Sequence, residues 1–270
     1  MKFRVIPSPN TCLNPIIKNF FSIEAGETVK NDRLVLPTGR QYLIFHLKGE
    51  AWYTCNGKET RIRDRALLCH VQTSAYCIKV SPNFEALGAS LSPNGLYRLF
   101  GKTFGRSDSF LSDSEAFLGN SELNALCAVM GRAADVQEKL ELLENYLNHE
   151  ILPMEEGDIV DRFLNYMGDF KKEITTRKIA AELFTNTRTL ELKFCAITGT
   201  TPGKYIRLQR FNRLICDVAS KQYRMRDLVA KHNYSDYSHM RRDIRKYSGV
   251  SLREIATADT LENTPMGVMM

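Results

Sequence analysis

Residues 186–194, NTRTLELKF, and residues 233–242, NYSDYSHMRR, decide the reading of this 270-residue chain. Each stretch opens on a residue able to cap a helix. Asn186 does so in the first, and Ser235 or Asp236 in the second, because a side-chain oxygen can accept from the open amides of a first turn. Each then spaces apolar residues at helical intervals, with charged side chains between them. Leu190 and Phe194 point inward in the first, and Met240, Ile244 and Tyr247 in the second. Both helices end on a glycine, Gly199 and Gly249, suited to a left-handed cap.

A short helix precedes each one. Arg177 to Phe184 carries Ile179, Ala180 and Leu183 inward, capped by Thr175 or Thr176. Met225 to Lys231 carries Leu228 and Val229. The turns between are Thr185-Asn186 and His232-Asn233, where Asn tolerates positive φ, and Tyr234 anchors the second unit. Two helix-turn-helix units in tandem are therefore expected, at Thr187 to Ala196 and Tyr237 to Tyr247 for the second helices. Pro202 to Ala219 links them as one long helix of about 27 Å. It places Tyr205, Ile206, Leu208, Leu214 and Ile215 inward and Lys204, Arg207, Arg210 and Arg213 outward. The roughly 34 Å between successive major grooves is close to what such a linker spans. A further helix, Asp158 to Phe170, shows Ile159, Phe163, Tyr166, Met167 and Phe170 on one side.

Charge follows the same division. Residues 171–256 hold 19 Lys/Arg against 8 Asp/Glu, a net of +11, whereas residues 1–170 carry a net of −3. A polyanion partner is implied for the C-terminal part alone. The seven cysteines are scattered without Cys-x-x-Cys spacing, which reads as reduced thiols. Cys69 and Cys77 are placed to face each other across a hairpin. Pro7 and Pro9 interrupt the N-terminus before an apolar stretch forms, and no apolar run is long enough to span a bilayer. A cytoplasmic, nucleoid-associated protein without membrane contact is expected.

The first ninety residues alternate short β-prone runs with turn signals. Arg33 to Leu36, Tyr42 to Leu47, Ala51 to Cys55 and Thr60 to Ile62 are four such runs. Asn56-Gly57 predicts a type I′ hairpin turn. Leu67 to Val71 and Ala75 to Val80 read as another antiparallel pair. Many short strands at this spacing imply a barrel or sandwich. Helices follow at Pro93 to Phe104, Glu122 to Met130 and Val136 to Ile151, the last capped by Asp135 and stopped by Pro153. Its stripe of Val136, Leu140, Leu143 and Leu147 either packs on the sheets or forms a dimer face. His46 and His70 are the histidines of the strand region, and they form no His-x-His pair, whereas a metal centre of this kind needs two or three histidines and a carboxylate converging on one ion. With no nucleophile elbow or phosphate loop either, neither catalysis nor a cofactor is expected.

Residues 1–150 are similar to the cupin-like sensor domain of many bacterial regulators, on LPTGRQYLIFHLKG at 36–49 and LGASLSPNGLYRLFG at 87–101. The C-terminal part resembles the DNA-binding domain of the AraC/XylS family. That resemblance rests on IAAELFTNTRTLELKFCAITGTTPGKYI at 179–206, R-x-x-R at 210–213 and NYSDYSHMRRDIRKYSGVSLREI at 233–255. Together they imply an α+β chain: an antiparallel β-barrel-like, cupin-like domain with helices over 1–152, an all-α DNA-binding domain over 153–256, and a flexible tail over 257–270. They also imply an effector-responsive activator on double-stranded DNA, with RNA polymerase, a small-molecule effector and a second copy as further partners.

Base-edge candidates are Arg188, Glu191 and Leu192 in the first unit and Tyr237, Ser238, Arg241 and Arg242 in the second. Arg188 and Arg242 suit bidentate guanine contacts, with phosphate binding as the alternative. Phosphate candidates are Asn186, Thr187, Lys193, Arg207, Arg245, Lys246 and His239, and Arg241 suits either role. Departures from the family pattern are Leu192, where Arg is common, Asn233 in place of Gly, and Leu252 where Pro is common. Leu192 leaves open a partner-binding adaptor with weakened base readout, and the N-terminal barrel leaves open a DNA-binding enzyme.

Overall fold

Turn chemistry and pleat periodicity set the N-terminal architecture. The computed structural model describes residues 1–8, 13, 15–29, 32–63, 65–103, 111–150, 158–168, 174–220 and 224–257. Among these residues ten strands run β1 (Lys2–Ile6), β2 (Ile17–Glu24), β3 (Arg33–Val35), β4 (Gln41–Lys48), β5 (Glu50–Cys55), β6 (Lys58–Arg63), β7 (Ala66–Cys69), β8 (Tyr76–Val80), β9 (Glu85–Leu91) and, after helix α1 (Gly95–Phe100), β10 (Leu111–Asp113). They form two antiparallel sheets, ordered β1-β2-β9-β4-β7-β10 and β3-β8-β5-β6. Asn56 and Gly57 both take positive φ, +50° and +78°, at the β5–β6 hairpin, as a type I′ turn requires.

The six-stranded sheet is covered on both faces. Leu43 and Phe45 of β4 pack with Leu96, Leu99, Leu140, Leu143 and Leu147 in one core. Tyr42 and Ile44, pointing the other way, pack with Tyr53, Tyr76, Ile78 and Val80 of the four-stranded sheet. Burial on both sides removes the apolar–polar alternation, so YLIFHL is apolar throughout except for His46. The outer layer is α1 with α2 (Ser114–Leu118), α3 (Glu122–Met130) and α4 (Val136–Glu150). Of the two fates open to the α4 stripe, packing on the sheets is the one realised: Leu140, Leu143 and Leu147 are buried there. Asp135 caps this helix through the Glu138 amide at 2.9 Å.

One strand pairing differs from expectation. β7 and β8 form no hairpin: β7 pairs with β4 and β10, and β8 with β3 and β5. Residues 70–75 cross from one sheet to the other, which puts Cys69 and Cys77 on different sheets instead of opposite each other. The described cysteines are free thiols. Pro153, Phe170 and the chain beyond Thr257 lie outside the described residues.

Among the described residues seven helices make the C-terminal part: α5 (Ile159–Gly168), α6 (Thr176–Glu182), α7 (Thr187–Thr198), α8 (Pro202–Ala219), α9 (Met225–Lys231), α10 (Tyr237–Ser248) and α11 (Leu252–Thr257). Their core is aromatic at its first half. Phe163 and Phe194 lie 4.5 Å apart between centroids, and Phe194 and Tyr205 5.5 Å. The same core takes in Leu36 and Val71 from the N-terminal strands region. Among the described residues no helix is long and apolar enough to cross a membrane.

Candidate DNA-binding surface

Each unit is built by the same local rules. Thr175 caps α6 through the Lys178 amide, Asn186 caps α7 through the Thr189 amide at 2.8 Å, and Asp236 caps α10 through the His239 amide at 2.7 Å. That amide is the main reason the Asp236 carboxyl is held below the ordinary carboxylate range. Both helices close on left-handed glycines, Gly199 at φ +76° and Gly249 at +75°. Just before each glycine a hydroxyl makes the same pair of bonds. Thr198 Oγ1 donates to Phe194 O at 2.8 Å and accepts from Thr200 N. Ser248 Oγ donates to Ile244 O at 2.7 Å and accepts from Val250 N.

α7 and α10 therefore correspond residue by residue at a constant offset of 50: Asn186 to Asp236, Leu190 to Met240, Phe194 to Ile244, Gly199 to Gly249. The offset makes their outward faces comparable. Arg241, Arg242, Arg245 and Lys246 are all exposed on α10. Their counterparts on α7 are Glu191, Leu192, Cys195 and Ala196. The first face keeps Arg188 and Lys193, both exposed, and presents Leu192 at 63% exposure.

The α10 face borders an open groove of about 650 Å³, lined by Tyr237, Ser238, Arg241, Arg242, Arg245, Lys246, Ser251, Leu252 and Arg253. Arg242 Nε donates to Ser238 O at 3.3 Å, and the Arg241 guanidinium sits 5.9 Å from the Tyr237 ring. Four cations and a groove on one helix can neutralise phosphates and reach base edges.

Residues 179–258 match a family profile described as a helix-turn-helix domain. The chain is a helix-turn-helix DNA-binding transcription regulator. Residues 5–106 of the regulator match a second profile, a domain of unknown function (DUF6597). No curated protein matches it. Among solved structures it is similar to ToxT from Vibrio cholerae O395, at 12% identity over 95% of this chain and 99% of that one, with a TM-score of 0.46. It is also similar to unsaturated fatty acid bound ToxT from Vibrio cholerae strain SCE256, at 11% identity, 94% of each chain and a TM-score of 0.46. The AraC-like transcriptional activator CuxR aligns at 12% identity over 78% of this chain and 85% of that one, with a TM-score of 0.25.

One of the regulator's cationic side chains is committed inside the fold. Arg210, expected outward, pairs instead with Asp243 at 2.6 Å and lies 4.3 Å from the Tyr234 ring centroid. It thereby ties α8 to α10. Arg207 is exposed beside the Tyr247 hydroxyl. His239 is half-buried, with Nδ1 3.2 Å from Ser235 Oγ and its ring edge-on to Tyr234. Ser251 and Arg253, on the groove wall, were not among the sequence candidates. Their signal was the capping box of α11, where Ser251 N donates to Glu254 Oε2 at 2.7 Å and Glu254 N to Ser251 Oγ at 3.3 Å. Phe184 was also missed. It occupies the turn of the first unit at φ +53° with 93% exposure, the place that Asn233 holds at +54° in the second.

Proposed function

We propose that this regulator is an effector-responsive activator that lays α7 and α10 into successive major grooves of one duplex. The observation that carries the reading is the cationic, grooved face of α10. Arg242 is assigned a bidentate guanine contact, and Tyr237, Ser238 and Arg241 neighbouring base edges. Arg245 and Lys246, with Asn186, Thr187, Lys193, Arg207 and His239, are assigned to phosphates. On α7 base reading falls to Arg188, with Glu191 able to accept from a cytosine amino group and Leu192 to touch a thymine methyl. The N-terminal domain, over 1–152, is assigned the sensing of a small molecule and no catalytic role. The ToxT structures bound to a fatty acid or a naphthyl-butenoic acid make small carboxylic acids a sensible first screen. RNA polymerase and a second copy of the chain are the expected protein partners, and the cytoplasm the expected location.

The test is site selection from genomic DNA with the purified protein at two salt concentrations. A site with two elements about one helical turn apart is expected. Arg242→Ala should then cost about 1–3 kcal/mol at that site and relax its specificity. Lys246→Ala should weaken all sequences alike and reduce the salt slope by about one. Identical behaviour of the two variants would overturn the assignment of roles. The loss of all four cationic positions from the α7 face favours a second reading, in which the first unit serves a protein partner. Under that reading the selected site is a single element covered by α10.

A further inference from the structure

The N-terminal domain touches both reading units, and it does so at their backs. Gln41, fully buried on β4, donates from Nε2 to Ile197 O in the last turn of α7, at 3.4 Å. Its other end is fixed too, since Oε1 accepts from Leu96 N at 2.9 Å. Two residues beyond Ile197, Gly199 lies so close to His70 that an added Cβ would sit 3.2 Å from Nδ1. The His70 ring is held in turn by Ser112 Oγ at 2.8 Å.

The second unit is gripped at the equivalent place. Ala75 N donates to Tyr247 O, at the end of α10, at 2.7 Å. By the offset of 50, Ile197 and Tyr247 are counterparts. The domain therefore bonds the same carbonyl in each unit. Between them it holds the linker helix: Asn212 Nδ2 donates to Thr38 O at 2.8 Å, and Gly39, at φ +77°, packs against Gln209 and Tyr205.

These contacts come from both sheets. Gln41 and His70 belong to the six-stranded sheet or its edge, whereas Ala75 leads into β8 of the four-stranded one. The two sheets share one core, so the separation between the grips is fixed by packed side chains. The reading faces stay open: Arg188, Arg241 and Arg242 remain exposed while the grips are made. An element that masked DNA binding would lie over those residues; this one lies behind them.

We infer that the N-terminal domain is a gauge for the two reading units, with Gln41, Ala75 and Asn212 as positioning residues that set how far apart the two elements of the DNA site must lie. α8 alone ties the units end to end, and the three bonds add the constraint on their mutual rotation. The inference rests on the DNA-reading arrangement proposed above, and its test is separable from that proposal.

The experiment uses the full chain and the selected site, with one base pair added or removed between its two elements. Affinities are compared for the wild type, Gln41→Leu and Asn212→Ala, with thermal unfolding as the check on folding. Gln41→Leu keeps the volume and removes both bonds. Asn212→Ala touches only the half-exposed link to Thr38, and so remains informative if the buried variant fails to fold. In the wild type a one-base-pair shift should weaken binding about tenfold or more, the scale of a lost base contact. In the variants the same shift should cost less than about threefold, with native-spacing affinity changed less than the tolerance. Equal penalties in wild type and variants would overturn the gauge while leaving two-element reading intact. A selected site with a single element would overturn both.

Discussion

Phe184 shows how a single residue can carry strain without packing. Its left-handed backbone costs an L-residue about 1–2 kcal/mol, and its ring, almost wholly in solvent, returns none of this through burial. Phe184→Gly is expected to stabilise the fold by up to about 1 kcal/mol after allowing for the greater freedom of glycine in the unfolded chain. Urea denaturation measures this directly, and a lowered midpoint would mean that the ring has a contact in solution. Asn233 was legible as a left-handed turn residue because Asn is built for that conformation. Phe184 was not, since nothing in a phenylalanine announces positive φ; only the hydrogen bonds of the finished turn impose it. The same limit applies to Arg210. Sequence spacing put it on the outer side of α8, and the carboxylate that draws it in belongs to a helix 33 residues later.

At the scale of elements the helices were readable and the sheets only partly so. Caps and helical spacing identify α4, α6, α7, α8, α9 and α10 within a residue or two, because each such signal is local. Hairpin β5–β6 was readable for the same reason, through Asn56-Gly57. β1, β2, β9 and β10 were not singled out, and β7 was given the wrong partner. Strand pairing is decided by residues far apart in the chain, and strands buried on both faces show no alternation to read. The link between α8 and α10 is a case where the element depends on a distant pair. Asp243 and Arg210 are mostly shielded from solvent, at 12% and 20% side-chain exposure. Asp243→Ala should leave the guanidinium poorly compensated and cost about 2–4 kcal/mol. Hydrogen exchange should show α10 opening first. Uniform exchange with an unchanged denaturation midpoint would mean that Tyr234 alone holds Arg210.

For the molecule as a whole, burial of neutral histidines couples folding to acidity. His46, hydrogen-bonded to Tyr53 at 2.8 Å, has its pKa lowered by burial to about 3, and His70 is lowered by burial to about 4. An exposed histidine in the unfolded chain titrates near 6.5. Between these values the unfolded chain binds protons that the folded one refuses. Stability is therefore complete above about pH 6.5 and falls as the pH drops toward 4, by up to about 1.4 kcal/mol per unit for each histidine. Melting temperatures from pH 7.5 to 5 check this, and His46→Gln should flatten the profile. A flat profile in the wild type would show that neither ring is buried in solution. Domain class and the division of charge were legible at this scale. The docking of one domain on the other was not, because Gln41, His70 and Ala75 look like ordinary strand and loop residues until both partners are in place.

The constant offset between α7 and α10, with unlike side chains at equivalent positions, has a consequence for the genome. Under the two-element reading proposed above, the tandem units give the protein a front and a back on its duplex. Such a site would not be a palindrome, and reversing it in place would turn the N-terminal domain toward the other flank. Promoter architecture would then be written in the direction of the site as much as in its letters.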